Sequence, residues 1–185
     1  MADPAAGEEL LDAGHGLMRR MEQSSVVTVA AVNSLALGGG CELAMACDVR
    51  LAAESASFGQ PEINLGIIPG FGGTQRLPRL VGEAKALEMN MLGDPISAAQ
   101  AYELGLANDV APDHELHDAA LAWARKLGGQ APVAIEQIKQ ASAKGDLDEG
   151  IAAEKEGFVA AFTSEDAREG ISAFLGKRKP KWQGK

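Results

Sequence analysis

Aromatic residues are scarce in this chain: five Phe, two Trp and one Tyr among 185 residues, or 4%. The core must then be built mainly from Ala, Leu, Val and Ile. Cysteine is rarer still, with Cys41 and Cys47 alone. Both fall in a segment that reads as one helix. At about 100° of rotation per residue, their side chains point well apart. That argues against a disulfide and makes a reducing, cytoplasmic-type compartment the expectation. No apolar run approaches the ~20 residues of a membrane span. The acidic opening MADPAAGEELLDAG lacks the apolar stretch of a secretory signal. Positive charge is in deficit, with 17 Lys and Arg against 26 Asp and Glu, a net charge of −9. Such a balance repels nucleic acid and anionic membranes, and neither is expected as a partner. Only the end of the chain is basic, with Lys177, Arg178, Lys179, Lys181 and Lys185 close together. It reads either as a solvated tail or as a site for an anionic ligand such as a nucleotide phosphate.

Several motifs are also missing. A dinucleotide-binding Gly-x-Gly-x-x-Gly starts at Gly38 and fails at Leu43; it starts again at Gly70 and fails at Gln75. There is no Gly-Lys-Ser/Thr, no Gly-x-Ser-x-Gly elbow and no Cys/His pairing, so covalent acyl transfer lacks its parts. His114 and His117 sit beside Asp113 and Glu115 and read as a solvated face, not a metal site. His15 reads as a half-buried helix residue. No metal site is expected.

What is present is α/β in character. Helical spacing covers 4–23, although Gly7, Gly14 and Gly16 weaken it. The run 24–31, SSVVTVAA, is β-branched and apolar and predicts a strand buried on both faces. A short helix begins near Gly40, after three glycines, and a strand covers 48–54. The stretch SASFGQPEINLGIIPG carries two prolines and three glycines and reads as a loop. Helices follow over 71–81, 83–92, 97–104, 114–128, 131–143, 147–162 and 165–175, with a strand at 106–111. Ser97 and Ser164 are expected N-caps. The organisation divides at 1–112, a core, and 113–185, a helical region. A doubly buried strand at 24–31 needs neighbours that the few strands here do not supply, which points to a portion missing before it.

Two glycine-led helix starts, at Gly38–Gly40 and in PGFGGTQRL, place bare N–H groups where an anion or developing oxyanion could rest. Taken singly, each is as readily a tight turn. Beside them stand Glu42, among apolar neighbours, and Glu62, flanked by Phe58, Ile63 and Leu65. A carboxylate in apolar surroundings has a raised pKa suited to general acid–base work. Either glutamate alone reads equally as a capping or solvated residue.

The run VVTVAAVNSLALGGGCELAMACDVRLAAESASFGQPEINLGIIPGFGGTQRLPRLVG closely resembles the central segment of the crotonase superfamily, nearest to short-chain enoyl-CoA hydratases. LGDPISAAQAYELGLANDVAP resembles its helical connector and FTSEDAREGISAFLGKRKPKWQGK its C-terminus. The resemblance covers nearly the whole chain. It implies an α/β crotonase (ClpP/crotonase-like) spiral of βαβ-type units, N-terminally truncated, with a helical C-terminal trimerisation region. It implies a homotrimer or a dimer of trimers. It implies reversible hydration of a trans-2-enoyl-CoA, with the coenzyme A thioester as substrate and no cofactor. Glu42 and Glu62 match the catalytic glutamates, Glu62 protonating the α-carbon and Glu42 handling the water. Gly39 matches an oxyanion donor and Gly70 a residue lining the water site. Phe158, Phe174 and Lys177 match positions near the coenzyme A region. An earlier β-rich portion of the family, supplying the other oxyanion N–H, has no counterpart here. Loss of one such donor typically costs about 10²–10³ in rate. Two other outcomes follow from the same resemblance: an isomerase of the superfamily, or a silent acyl-CoA-binding or interaction protein.

Overall fold

The computed structural model describes residues 4–143 and 145–185. The chain opens with α1 (Pro4–Gln23), followed by β1 (Val29–Val32), β2 (Leu35–Leu37), α2 (Gly39–Ala46), β3 (Val49–Ala53) and β4 (Ser57–Gly59). A 3-10 turn (Pro61–Leu65) leads to α3 (Gly73–Val81), α4 (Glu83–Leu92), β5 (Ile96–Ser97), α5 (Ala98–Glu103) and β6 (Asp109–Ala111). Four helices complete the chain: α6 (Leu116–Gly128), α7 (Pro132–Ser142), α8 (Leu147–Phe162) and α9 (Glu165–Leu175).

The strands form two small sheets, ordered β1-β3-β6 and β2-β4-β5. All pairs are parallel except β4 with β5. From β1 to β4 the chain visits the sheets alternately. Val29 pairs with Val49, twenty residues on, and Leu35 with Ser57, twenty-two residues on. Each turn of this spiral lays one strand in each sheet before a helix crosses over. The spiral expected from the sequence is therefore present, with two strands in a turn, one in each sheet.

Burial decides which strand is central. Every residue of β3 is buried, whereas β1 is half-exposed and forms an edge among the described residues. This corrects the expectation of a doubly buried strand over 24–31. Its apolar run reports side chains that suit a sheet, but burial needs a partner on each side, and β1 has β3 alone. Residues 24–28 are not strand: Val26 N–H donates to Ser24 Oγ at 3.1 Å, a local turn that competes with the ladder. The strand proper begins after Thr28, which is locked to Asp48. Thr28 N–H and Oγ–H donate to Asp48 Oδ2 at 2.7 and 3.0 Å, and Asp48 N–H donates back to Thr28 Oγ1 at 3.1 Å.

Buried Arg50 fixes the end of α2. Its Nη1 donates to Cys47 O at 2.6 Å and its Nε to Leu106 O at 2.7 Å. A cation on the last carbonyls also answers the helix dipole. Burial holds this guanidinium below its ordinary pKa. Cys47 lies just past α2 in extended conformation, so the two cysteines do not share a helix as expected; among the described residues neither is in a disulfide. β2, β4 and β5 were invisible to periodicity because strands of two or three residues complete no alternation. The 106–111 strand shrinks to β6, with Leu106 and Ala107 buried before it. His15 is exposed, not half-buried.

The chain packs as two compact units. One runs to Met21 and resumes at Thr28–Trp123; the other comprises Glu22–Val27 and Ala124–Lys185. In the second unit α7 lies against α8, where Gly157 leaves room for Gln137. Ser164 caps α9, its Oγ accepting from Ala167 N–H at 3.0 Å, as expected. The basic tail is fastened. Buried Asp166 accepts N–H groups from Gln183 at 2.6 Å and Gly184 at 3.0 Å. Arg178 forks onto Glu169 at 2.6 and 2.8 Å, and Trp182 donates to Gly129 O at 2.9 Å. The tail is thus tied down along its backbone, while Lys177, Arg178, Lys179, Lys181 and Lys185 stay exposed, as the solvated reading has them.

Candidate active site

The site grows from the turn between β2 and α2. Gly38 has φ 54° and ψ −126°, a left-handed backbone that favours glycine. Its N–H donates to Gly59 O at 2.9 Å, which ties the turn to β4. Its carbonyl accepts Glu42 N–H at 2.9 Å and starts α2. Gly39 is the first residue of that helix, so its N–H belongs to the group with no intrahelical acceptor.

Glu42 lies one turn into α2 and is only 1% exposed. A buried carboxylate needs donors. Here they come from the second glycine cluster: Phe71 N–H and Gly73 N–H both donate to Glu42 Oε1 at 2.7 Å. Gly73 is the first residue of α3, so the positive end of that helix faces the charge. PGFGGTQRL thus does cradle an anion, but the anion is the protein's own Glu42. Among the described residues Oε2 of Glu42 accepts no hydrogen bond, which leaves it the oxygen available to a guest.

Glu62 stands on the 3-10 turn after β4. Its Oε1 lies 2.8 Å from where a Cβ on Gly38 would stand. The turn that carries Gly39 is therefore touched by the Glu62 carboxylate and accepts the backbone N–H of Glu42. Burial raises the pKa of Glu62 above its ordinary value, a backbone hydrogen bond opposes this, and the charge of Glu42 adds to the rise. Beside Glu42 in the chain, Cys41 is fully buried, its thiol pushed up to about 12 chiefly by burial, with a Gly59 hydrogen bond opposing and both glutamates adding. A thiol held so high is no nucleophile.

Sequence reading missed Gln60. It is fully buried, and its amide nitrogen donates to both carboxylate oxygens of Glu62 at 3.1 Å. Its amide end also lies 2.7 Å from where a Cβ on Gly73 would stand. One buried amide thus spans Glu62 and the peptide that holds Glu42. The only signal in the sequence was a polar residue between apolar Phe58 and Pro61.

Phe71 was also missed. Its backbone holds Glu42, and its ring lies against Gly39 and against Gly14 of α1. Gly70, expected at the water site, sits on the same turn, with Leu11 of α1 packed at its Cα. The first unit therefore gathers Gly39, Glu42, Glu62 and Gly70. Phe158, Phe174 and Lys177 belong to the second unit. Both phenylalanines are exposed, Phe158 stacking on Phe162 with centroids 5.6 Å apart. Lys177 takes a left-handed backbone, φ 50°, after the end of α9. His114 and Glu115 are an exposed pair at 3.5 Å, consistent with a solvated face.

Two buried or half-buried carboxylates about a glycine helix start, on a two-sheet spiral, define a class of acid–base site. The sequence model described as enoyl-CoA hydratase/isomerase matches residues 4–185, and the chain belongs to that family. It is 46% identical to the short-chain-enoyl-CoA hydratase of Clostridium acetobutylicum, over 90% of this chain and 65% of that one. It is 49% identical to a probable enoyl-CoA hydratase of Bacillus subtilis, over 95% of this chain and 69% of that one. Its fold superposes on the crystal structure of enoyl-CoA hydratase from Bacillus anthracis with a TM-score of 0.94 and 41% identity, covering all of this chain and 72% of that one. The chain spans about two thirds of the length of these curated relatives. Among the described residues no helix is long and apolar enough to cross a membrane.

Proposed function

We propose that this chain carries the hydration chemistry of its family: reversible addition of water across the double bond of a trans-2-enoyl-CoA. The observation that carries the reading is the joint placement of Glu42 and Glu62 about the Gly38–Gly39 turn. Hydration needs one group to take a proton from water and another to deliver one to carbon. Glu42, fixed through Oε1 and with Oε2 uncommitted, accepts the proton of the attacking water as its oxygen bonds to Cβ. Glu62, whose carboxyl is pushed above its ordinary pKa by burial, gives a proton to Cα. Between the two events negative charge rests on the thioester oxygen, where the N–H of Gly39 stabilises it. Gly70 borders the water. No metal or redox group enters these steps.

The thioester's coenzyme A portion is assigned to the C-terminal unit, with Phe158 and Phe174 as apolar contacts and Lys177 as the cation for a phosphate. Their exposure supports contact with a ligand or a neighbouring subunit in a trimer or dimer of trimers.

The test is a paired assay. Crotonyl-CoA and a 3-enoyl-CoA are offered to the parent, Glu42→Gln and Glu62→Gln. Hydration by the parent, lost in both variants, is the expected result. Isomerisation without hydration would replace this reading with the sister chemistry. Coenzyme A binding without either reaction would make the chain an acyl-CoA binder.

A further inference from the structure

Arg76 is a side chain that this mechanism does not use. It stands on the first turn of α3 and folds back over the glycines that precede the helix. Its Nη1 donates to Phe71 O at 2.6 Å and lies 3.7 Å from Met18 Sδ on α1. The same nitrogen occupies the space over Gly72, where any Cβ would collide with it. Gly72 has φ 100°, a backbone that favours glycine, and its bare Cα leaves the space that the guanidinium fills. The backbone runs the opposite way too: Arg76 N–H donates to Gly72 O at 2.8 Å.

The segment so clamped is the one that holds Glu42. Phe71 N–H and Gly73 N–H, the two donors at 2.7 Å, flank the carbonyl that accepts Arg76. For both to converge on one oxygen, the Gly70–Phe71 and Gly72–Gly73 peptides must keep a fixed relation, which is set by the Phe71–Gly72 peptide between them, whose carbonyl Arg76 holds. A positive-φ glycine is the residue least able to keep it unaided. We infer that Arg76 is a positioning residue for the Glu42 carboxylate, acting through the Phe71–Gly73 turn and not on the substrate. The inference rests on Glu42 being the water-handling group, but the clamp itself is measurable without turnover.

The test compares the full chain with Arg76→Met, Arg76→Lys and, as a control, Arg79→Met. Arg79 is an exposed cation of the same helix whose guanidinium donates locally, to Gln75 O. Amide hydrogen exchange is read at Phe71 and Gly73, with Leu51–Ala53 of β3 as the internal reference for global stability. We expect exchange at Phe71 and Gly73 to rise at least tenfold in Arg76→Met, to stay within threefold of the parent in Arg76→Lys, whose ammonium still reaches Phe71 O, and to be unchanged in Arg79→Met. In crotonyl-CoA hydration, Arg76→Met lowers kcat at least tenfold with KM within twofold. Exchange within twofold of the parent in Arg76→Met overturns the inference. So does acceleration shared equally by Leu51–Ala53, which makes the residue merely structural, and so does a Lys variant no better than Met. If the parent shows no hydration while the exchange pattern holds, the clamp stands and the proposed reaction falls.

Discussion

At the scale of single residues, Glu42 and Glu62 differ in how they are held. Glu42 is pinned by two backbone donors, and Glu62 by a buried amide and desolvation. Replacing either with Gln should lower the hydration rate by about 10²–10⁴, the usual worth of a placed general acid or base. The effect of the Glu62 change on stability should vary with pH. The folded-state pKa of Glu62 lies above its unfolded value, so its favourable contribution is complete below the unfolded pKa and is lost as pH rises through the folded one. Melting temperatures from pH 4 to pH 8 should therefore show Glu62→Gln gaining on the parent as pH rises. A difference independent of pH would contradict the shift. Gln60→Leu should move the Glu62 pKa higher still, because the amide donates to the ionised carboxylate and so favours that form. Carboxyl NMR titration would detect it; a downward movement would rule out the bond.

At the scale of elements, α1 explains its own glycines. A Gly-to-Ala change inside an exposed helix normally stabilises by roughly 0.5–1 kcal/mol. Gly7 has nothing within 4 Å of its missing Cβ and should behave that way. Gly14 faces the Phe71 ring, and a methyl there collides with it. Gly14→Ala should therefore destabilise, by about 1–3 kcal/mol, while displacing the residue that holds Glu42. Urea unfolding of the two variants tests the opposite signs. Periodicity registers these glycines only as helix weakeners, since it sees spacing and not a partner such as Phe71, fifty-seven residues on from Gly14. The same limit runs through the chain. Helices with full turns and caps, such as α8 and α9, were legible to the residue, including the Ser164 cap. The short strands β2, β4 and β5 were not. Glu42 and Glu62 were legible through the family resemblance, whereas Gln60, Phe71 and Arg76 work through backbone atoms and packing that leave no pattern of residue types.

At the scale of the whole molecule, the C-terminal tail depends on charge. Arg178 and the Lys181 N–H hold Glu169 down to about 2 from an ordinary 4.5. A depressed carboxylate contributes stability above its unfolded pKa and loses it as pH falls through the folded one. Acidification from about 4.5 to about 2 should thus loosen the tail. Glu169→Gln should flatten that part of the acid-unfolding curve and, at neutral pH, raise exchange at Lys181 N–H. An unaltered acid curve would show the pair to be screened to insignificance, as exposed pairs often are.

The spiral itself has a kinetic consequence. Its parallel pairs join residues twenty and twenty-two positions apart, and Leu51 meets Asp109 across fifty-eight. Loops of that length must close before any ladder bond forms, so the chain should fold on the slow, millisecond-to-second side of single domains. Because each winding rests on the one before it, order spreads from neighbour to neighbour, as in a solenoid. β3, enclosed on both sides, becomes the anchor of that propagation, and β1 the first winding to fray.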